Sequence, residues 1–246
     1  LTEPTKDKLV ALALGGMARA FEEQQTNADM SALSFDERFG LLVDAEWLER
    51  QNKRLARVLR EAKLRIAGAC LEDVHASASR GLDKKRLREL STCAWIEHHH
   101  NVAITGPAGV GKTYLACALA QQACRRGSRA LYRRLPRLFD ELSLARADGS
   151  YPRLLARLAR MDVLVIDDWG LVPVGATERR DLLEIMEDRY GHRSTIFASQ
   201  LPIANWHDHV GDPAIADAIC DRLLHNAHRI ELRGESLRKG VLEASS

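Results

Sequence analysis

Apolar residues change their spacing near residue 100, and this change divides the chain into two predicted parts. Up to about residue 97 they recur every three or four positions, which predicts amphipathic helices. One of these helices has a defined start, because Ser34 and Glu37 have the spacing of a capping box ahead of an apolar run. Its later turns carry lysine or arginine at every third or fourth position as far as Lys63, so they form a basic stripe.

Beyond residue 100, short apolar runs alternate with helical stretches. Such runs predict strands that helices cover on both faces of a parallel sheet. We predict strands at residues 102–105, 130–133, 163–167 and 195–199, and helices at residues 114–126, 135–147, 176–190 and 213–226. This alternation indicates a doubly wound α/β sheet, in which ligands bind at the carboxyl ends of the strands.

The two patterns predict two domains. Residues 1–75 are expected to form a small all-α N-terminal domain for assembly or partner binding, and residues 76–246 the α/β domain. The connector begins with residues 76–81, Ala-Ser-Ala-Ser-Arg-Gly, which are small or flexible. Apolar residues make up 46% of the chain and charged residues 28%, so neither a disordered nor a fibrous class is indicated.

A phosphate-binding loop directly follows the first predicted strand. Residues 106–113 read Gly-Pro-Ala-Gly-Val-Gly-Lys-Thr, the complete G-x-x-x-x-G-K-T pattern. The glycines let backbone N–H groups turn towards a phosphate, and the next helix presents its positive N-terminal end to the same anion. We predict ATP as the ligand, with Mg²⁺ as its companion ion. The predicted nucleotide contacts are Gly106, Pro107, Ala108, Gly109, Val110, Gly111, Lys112, Thr113 and Tyr114.

Polar groups that could serve hydrolysis follow the later strands. The run Val-Leu-Val-Ile ends in Asp167 and Asp168, of which the first would hold Mg²⁺ together with Thr113 and the second would orient or deprotonate the attacking water. Gln200, just past the next strand, could bind the γ-phosphate or that water. An arginine supplied by a neighbouring subunit would stabilise the transition state. The spacing does not choose among Arg222, Arg229, Arg233 and Arg238.

Charge is unevenly distributed although the formal net charge is only +2. Ten arginines and three acidic residues lie between Arg125 and Arg160, which suggests a polyanionic partner in addition to ATP. The five cysteines contain no C-x-x-C pair and are expected to be reduced thiols. The sequence has neither a run of about 18 apolar residues nor a secretory leader. We therefore expect a cytoplasmic protein with no membrane contact.

These motifs, together with the tail at residues 216–236, resemble the IstB-like ATP-binding proteins. That family comprises the transposition helpers of IS21-type insertion sequences, related to the DnaC helicase loader within the AAA+ initiator clade. The resemblance implies a P-loop NTPase with an AAA+ core and no sizeable lid. It implies an ATPase that oligomerises on double-stranded DNA with ATP at subunit interfaces, selects a target site, and recruits and activates the transposase.

The resemblance also assigns roles by position. Lys112, Asp168 and Gln200 become the phosphate lysine, the catalytic acid and the first sensor, Arg222 becomes the arginine finger and Arg238 a second sensor. Two of these depart from the usual AAA+ pattern. Asp168 stands where Glu is common, and its carboxylate is one methylene shorter, so hydrolysis is expected to be slow or to need assembly on DNA. Gln200 stands where Asn is common.

In this clade an extra helix after the second strand is directed at DNA, and residues 135–160 occupy that position. The resemblance and the clustered charge together predict phosphate contacts that are largely independent of base sequence. The predicted DNA contacts are Arg133, Arg134, Arg137, Arg153 and Arg157.

Three other functions remain compatible with the sequence. A replicative-helicase loader would share the core and differ in its partner. A small-molecule phosphotransferase would share the loop, although the paired acids after the third strand argue against it. A nucleotide-gated scaffold with negligible turnover would share every motif, and Asp168 keeps this alternative open.

Overall fold

The computed structural model describes residues 2–237, with only the backbone at residues 2, 3 and 31. Arg238, the predicted second sensor, lies outside the described residues. The chain separates into two compact units, residues 1–57 and residues 58–246. This division falls earlier than the predicted boundary at 75/76. Residues 58–75 contribute Val58, Ala62 and Ala69 to the buried apolar residues of the second unit.

Helices and strands follow each other in the predicted order. The helices are α1 (Thr2–Ala11), α2 (Gly15–Thr26), α3 (Phe35–Ala62), α4 (Lys84–Ser91), α5 (Ala94–Glu97), α6 (Lys112–Arg125), α7 (Leu135–Ala147), α8 (Tyr151–Ala159), α9 (Ala176–Arg189), α10 (Trp206–Val210) and α11 (Pro213–Leu224). The strands are β1 (Val102–Thr105), β2 (Ala130–Arg134), β3 (Val163–Trp169), β4 (Ser194–Ser199) and β5 (His228–Glu231).

The first unit is helical, as predicted. The capping box at the start of α3 is confirmed, because the Ser34 N–H donates to Glu37 Oε2 at 2.8 Å and the Glu37 N–H donates to Ser34 Oγ at 3.3 Å. Glu46 of α3 accepts hydrogen bonds from the backbone N–H groups of Gly16 and Met17 at the start of α2. This carboxylate satisfies N–H groups that a helix start leaves without an intrahelical partner.

The second unit contains a five-stranded parallel sheet in the order β2-β3-β4-β1-β5. The predicted α/β class is therefore confirmed. β1 and β4 are buried along their whole length and β3 at every residue except Asp168, which explains the apolar runs in β1, in the first four residues of β3 and in the middle of β4. The sequence did not predict β5, since Ile230 is its only buried residue. It also did not predict α8, which follows α7 in the segment 135–160.

Buried side chains hold α8, in the segment 135–160, and the sheet in place. Arg189 of α9 donates to the carbonyl oxygens of Leu158 at 2.6 Å and Met161 at 2.8 Å, and to Thr195 Oγ1 at 3.0 Å. These bonds tie the end of α8 to the start of β4. Below the carboxyl ends of the strands, the rings of Trp169, Phe197 and Trp206 pack together with centroids 5.3–6.1 Å apart. No helix in the described residues is long and apolar enough to cross a membrane.

Candidate nucleotide-binding site

The phosphate loop occupies the turn between β1 and α6. Gly106 and Gly111 have φ angles of +142° and +99°, in a region that side chains disfavour. A Cβ on Gly106 would also lie 2.2 Å from the Leu232 carbonyl oxygen, so the backbone of β1 and the tail can meet only at glycine. Lys112 Nζ donates to the carbonyl oxygens of Gly106 at 2.8 Å and Pro107 at 2.7 Å, which holds its ammonium inside the loop.

Two other segments donate hydrogen bonds to backbone carbonyl oxygens of this loop. Arg80, in the connector before α4, donates to the Val110 carbonyl oxygen at 2.9 Å. The backbone N–H of Leu237 donates to the Gly109 carbonyl oxygen at 3.0 Å. The tail therefore crosses the phosphate loop as the chain leaves β5. Neither bond could be read from the sequence, because both join segments that lie far apart along the chain.

Asp167 lies at the carboxyl end of β3, 2% exposed, and faces the loop. Its Oδ2 accepts hydrogen bonds from Thr113 Oγ1 at 2.8 Å and from the Tyr132 hydroxyl at 2.6 Å. Burial and the contact with Asp167 raise the pKa of Tyr132 well above its ordinary value, so this hydroxyl keeps its proton and donates. A carboxylate and a hydroxyl side by side are oxygen donors of the kind Mg²⁺ prefers, and the pair fits the predicted ion.

Asp168 departs from the regular strand. Its φ is +61°, and the register between β3 and β4 shifts between Ile166 and Trp169. Its own N–H donates to Asp167 Oδ1 at 2.9 Å. Arg134, at the end of β2, donates from Nε to Asp168 Oδ2 at 2.5 Å, and this bond raises the pKa of the guanidinium. The acid predicted to activate water is therefore ion-paired in this structure.

A cavity of 440 Å³ opens at the carboxyl ends of β1, β3 and β4. It brings together nine of the residues predicted for the nucleotide site, which are Ala108, Gly109, Gly111, Lys112, Thr113, Tyr114, Asp167, Asp168 and Gln200. Apart from Arg134, five residues that the sequence analysis did not assign to nucleotide binding also line it, namely Arg65, Ile66, Trp169, Ala198 and Leu237. Arg134, predicted to contact DNA, is the second arginine of this lining.

The predicted arginine finger lies elsewhere. Asn101, directly before β1, donates from Nδ2 to the Arg222 carbonyl oxygen at 3.0 Å, which places Arg222 at the amino end of that strand. The phosphate loop starts at the other end, roughly 13 Å away for four residues of strand. The Arg222 guanidinium donates to Glu187 Oε1 at 2.5 Å and to the Ala218 carbonyl oxygen at 2.9 Å. Within one subunit, Arg222 is therefore remote from the site.

The predicted DNA-contacting arginines fall into two groups. Arg137, Arg153 and Arg157 are exposed on α7 and α8. Arg133 is only 7% exposed and donates to Glu141 Oε2 and the Tyr132 carbonyl oxygen, so its assignment to the DNA surface is wrong. Burial within β2 outweighs the charge clustering that suggested it. Arg134 is half-buried in the nucleotide cavity, as described above.

Comparison with known proteins agrees with this architecture. The family described as IstB-like ATP binding protein matches residues 7–244. A protein of Sinorhizobium fredii (strain NBRC 101917 / NGR234), named as an insertion sequence ATP-binding protein, is 53% identical over 239 residues, which cover 97% of each chain. The crystal structure of the DnaC helicase loader is similar with a TM-score of 0.57 and 19% identity, over 67% of this chain and 97% of that one. The crystal structure of DnaI gives a TM-score of 0.58 and 24% identity, over 72% and 94% of the chains.

Proposed function

Because the chain belongs to the IstB-like ATP-binding family, we propose that it is an ATPase that assembles on duplex DNA and prepares a target site for the transposase of an insertion sequence. The observation that carries the proposal is that one cavity brings Lys112, Thr113, Asp167 and Asp168 together. These four side chains offer a phosphate cation, two magnesium-type oxygen donors and a carboxylate for water. The names of the relatives supply the insertion-sequence context.

Each residue has a physical task in hydrolysis. Bound Mg²⁺ would neutralise charge on the phosphates, with Thr113 and Asp167 as its protein ligands. Lys112 would hold the β- and γ-phosphates after exchanging the carbonyl oxygens of Gly106 and Pro107 for phosphate oxygens. Asp168 would accept the proton of the attacking water, and this requires Arg134 to release the carboxylate. Gln200 would orient that water or the γ-phosphate.

The position of Arg222 supports the proposed assembly. The amino end of β1 is too far from the phosphate loop for this arginine to serve its own subunit. We therefore assign it to the nucleotide of a neighbouring subunit, where it would stabilise the charge of the transition state. ATP then joins subunits in a head-to-tail array. The exposed arginines of α7 and α8 would contact DNA phosphates along that array.

A second candidate function is a nucleotide-gated scaffold that assembles without appreciable turnover. The Arg134–Asp168 ion pair favours it, since a carboxylate bound to a guanidinium has one oxygen fewer available for water. A helicase loader would share this core and differ in the partner that it captures.

One experiment separates these functions. We would measure ATP hydrolysis with Mg²⁺, with and without duplex DNA of arbitrary sequence, and image the complexes formed. We expect DNA-stimulated hydrolysis and ATP-dependent oligomers on DNA, both lost in Lys112→Ala and retained in the control Lys85→Ala on the exposed face of α4. Assembly without turnover would establish the scaffold instead. Capture of a replicative helicase in place of the transposase would establish the loader. DNA binding indifferent to ATP would contradict all three.

A further inference from the structure

Arg65 is a cation in the nucleotide cavity that the proposed hydrolysis does not yet use. It follows the end of α3 by three residues and belongs to the unit that contains the sheet. Its guanidinium lies 3.9 Å from Asp167 Oδ2 and 4.0 Å from Asp168 Oδ2. It is attracted to both acids, but these distances exceed hydrogen-bond length. Its side chain is 44% exposed, open to the cavity.

The backbone around Arg65 is held in place by burial and hydrogen bonds. Ala62 and Ala69, on either side, are completely buried. The Ala69 N–H donates to the Ile66 carbonyl oxygen at 3.1 Å, and the Cys70 N–H donates at 3.4 Å to the hydroxyl of Tyr114 on α6, the helix that starts at the phosphate loop. The segment is therefore fastened to the same helix that presents Lys112 and Thr113. A side chain on such a segment is held close to the phosphates of a bound nucleotide.

Most N–H donors of the Arg65 guanidinium are available to a further acceptor. The contacts of its guanidinium with Asp167 and Asp168 are long, at 3.9 and 4.0 Å. A guanidinium carries five N–H donors in a planar fork that suits phosphate oxygens. Lys112 and Arg134, by contrast, already hold close partners at 2.7 and 2.5 Å. Among the cations described in this cavity, Arg65 can therefore take a new anion with the least disruption.

We propose that Arg65 binds the terminal phosphate of ATP within its own subunit and thereby distinguishes ATP from ADP. The inference rests on the proposed function, because it assigns a further ligand to the same nucleotide. Asp167 and Asp168 lie where the metal and the attacking water are expected, so a cation beside both carboxylates is next to the γ-phosphate rather than the base. When ATP and Mg²⁺ bind, Arg65 would turn from the carboxylates to a γ-phosphate oxygen.

The test compares two nucleotides on the full chain. We would measure by calorimetry the binding of ADP and of the non-hydrolysable β,γ-imido analogue of ATP, both with Mg²⁺. Loss of a charge-assisted bidentate contact is expected to weaken the analogue by at least about tenfold in Arg65→Ala. ADP, which lacks that phosphate, should change by less than about twofold. Arg65→Lys keeps the charge but loses the planar fork of N–H donors. Its affinity for the ATP analogue should therefore lie between those of the unaltered protein and Arg65→Ala.

The controls separate the possible failures. Arg60→Ala removes the same charge from the exposed last turn of α3 and should leave both affinities unchanged. An equal loss for both nucleotides in Arg65→Ala, or no loss for either, would overturn the assignment of Arg65 while leaving nucleotide binding intact. Failure of the unaltered protein to bind either nucleotide would instead overturn the proposed function.

Discussion

Arg134 Nε donates to Asp168 Oδ2, so an acid near the carboxyl end of β3 is bound to the residue that ends β2. Both residues belong to neighbouring parallel strands, and Arg134 is paired in register with Asp167. The contact is thus built into the sheet rather than into a loop. Asp168 has a positive φ, which turns its side chain out of the strand direction and towards the cavity. The Asp168 carboxylate therefore stays ion-paired until another anion binds Arg134.

We therefore predict that Arg134→Ala raises ATP hydrolysis in the absence of DNA and reduces the further stimulation that DNA gives. Removal of the guanidinium leaves Asp168 Oδ2 available to water, and a DNA phosphate can no longer act by drawing Arg134 away. Steady-state turnover with and without duplex DNA measures both effects. Arg60→Ala, an exposed arginine in the last turn of α3, is the matched control and should leave both basal turnover and its stimulation by DNA unchanged. A drop of basal turnover in Arg134→Ala would contradict this relationship.

Tyr132→Phe tests how the magnesium carboxylate is oriented. The variant removes the 2.6 Å hydrogen bond to Asp167 and keeps the ring that packs within β2. Stability should fall by about 1 kcal/mol, the usual contribution of one hydrogen bond. The larger effect is expected on function, because Asp167 loses a donor that fixes its position. We expect the Mg²⁺ concentration for half-maximal hydrolysis to rise several-fold.

Affinity for nucleotide in the presence of EDTA should stay unchanged in Tyr132→Phe, since the hydroxyl contacts the carboxylate and not the phosphate loop. Tyr190→Phe, at the exposed end of α9, controls for loss of a phenol elsewhere. A variant with an unaltered magnesium requirement would show that the Tyr132 hydroxyl does not position Asp167 for the ion.

How far the sequence predicts this site depends on whether a contact is local. The phosphate loop follows from a strand, a glycine turn and a helix that adjoin along the chain, and the structure places it accordingly. Asp167 is recognisable because it ends an apolar run. Arg65 and Tyr132 cannot be recognised in this way. Tyr132 reaches the acids because β2 lies beside β3, and Arg65 reaches them because its segment, more than 60 residues away along the chain, passes the site. Charge counting likewise cannot tell that Arg133 is buried.

The exposed arginines of residues 135–160 predict a salt-dependent DNA interaction. Arg153→Ala and Arg157→Ala should each weaken duplex binding for all sequences alike, and each lost phosphate contact should lower the salt slope by about 1. Titration of labelled duplexes over a range of salt concentrations measures this. An affinity insensitive to salt, or strong preference for one sequence, would show that α8 is not the DNA surface.

Arg146, in the same cluster, should behave differently. It forms an ion pair with Asp181, which is 2% exposed, and stacks 3.8 Å from the centroid of the Tyr151 ring. Arg146→Ala leaves a buried carboxylate with fewer partners, so we expect the variant to unfold at a lower temperature. Thermal unfolding should detect it, whereas the salt slope of DNA binding should not change. The reverse pattern would place Arg146 on the DNA surface.

Arg222 provides the sharpest test of the proposed assembly, because it lies remote from the phosphate loop of its own subunit. Arg222→Ala and Asp168→Asn should each be nearly inactive alone, the first through loss of the finger and the second through loss of the acid. Mixed together, they should recover part of the hydrolysis rate. Some interfaces in a mixed assembly join an intact Asp168 on one subunit to an intact Arg222 on its neighbour. Arg222→Ala also removes the bond to Glu187, so both variants must first show native unfolding temperatures. If folded variants fail to complement each other while assembling on DNA, Arg222 does not act across the interface.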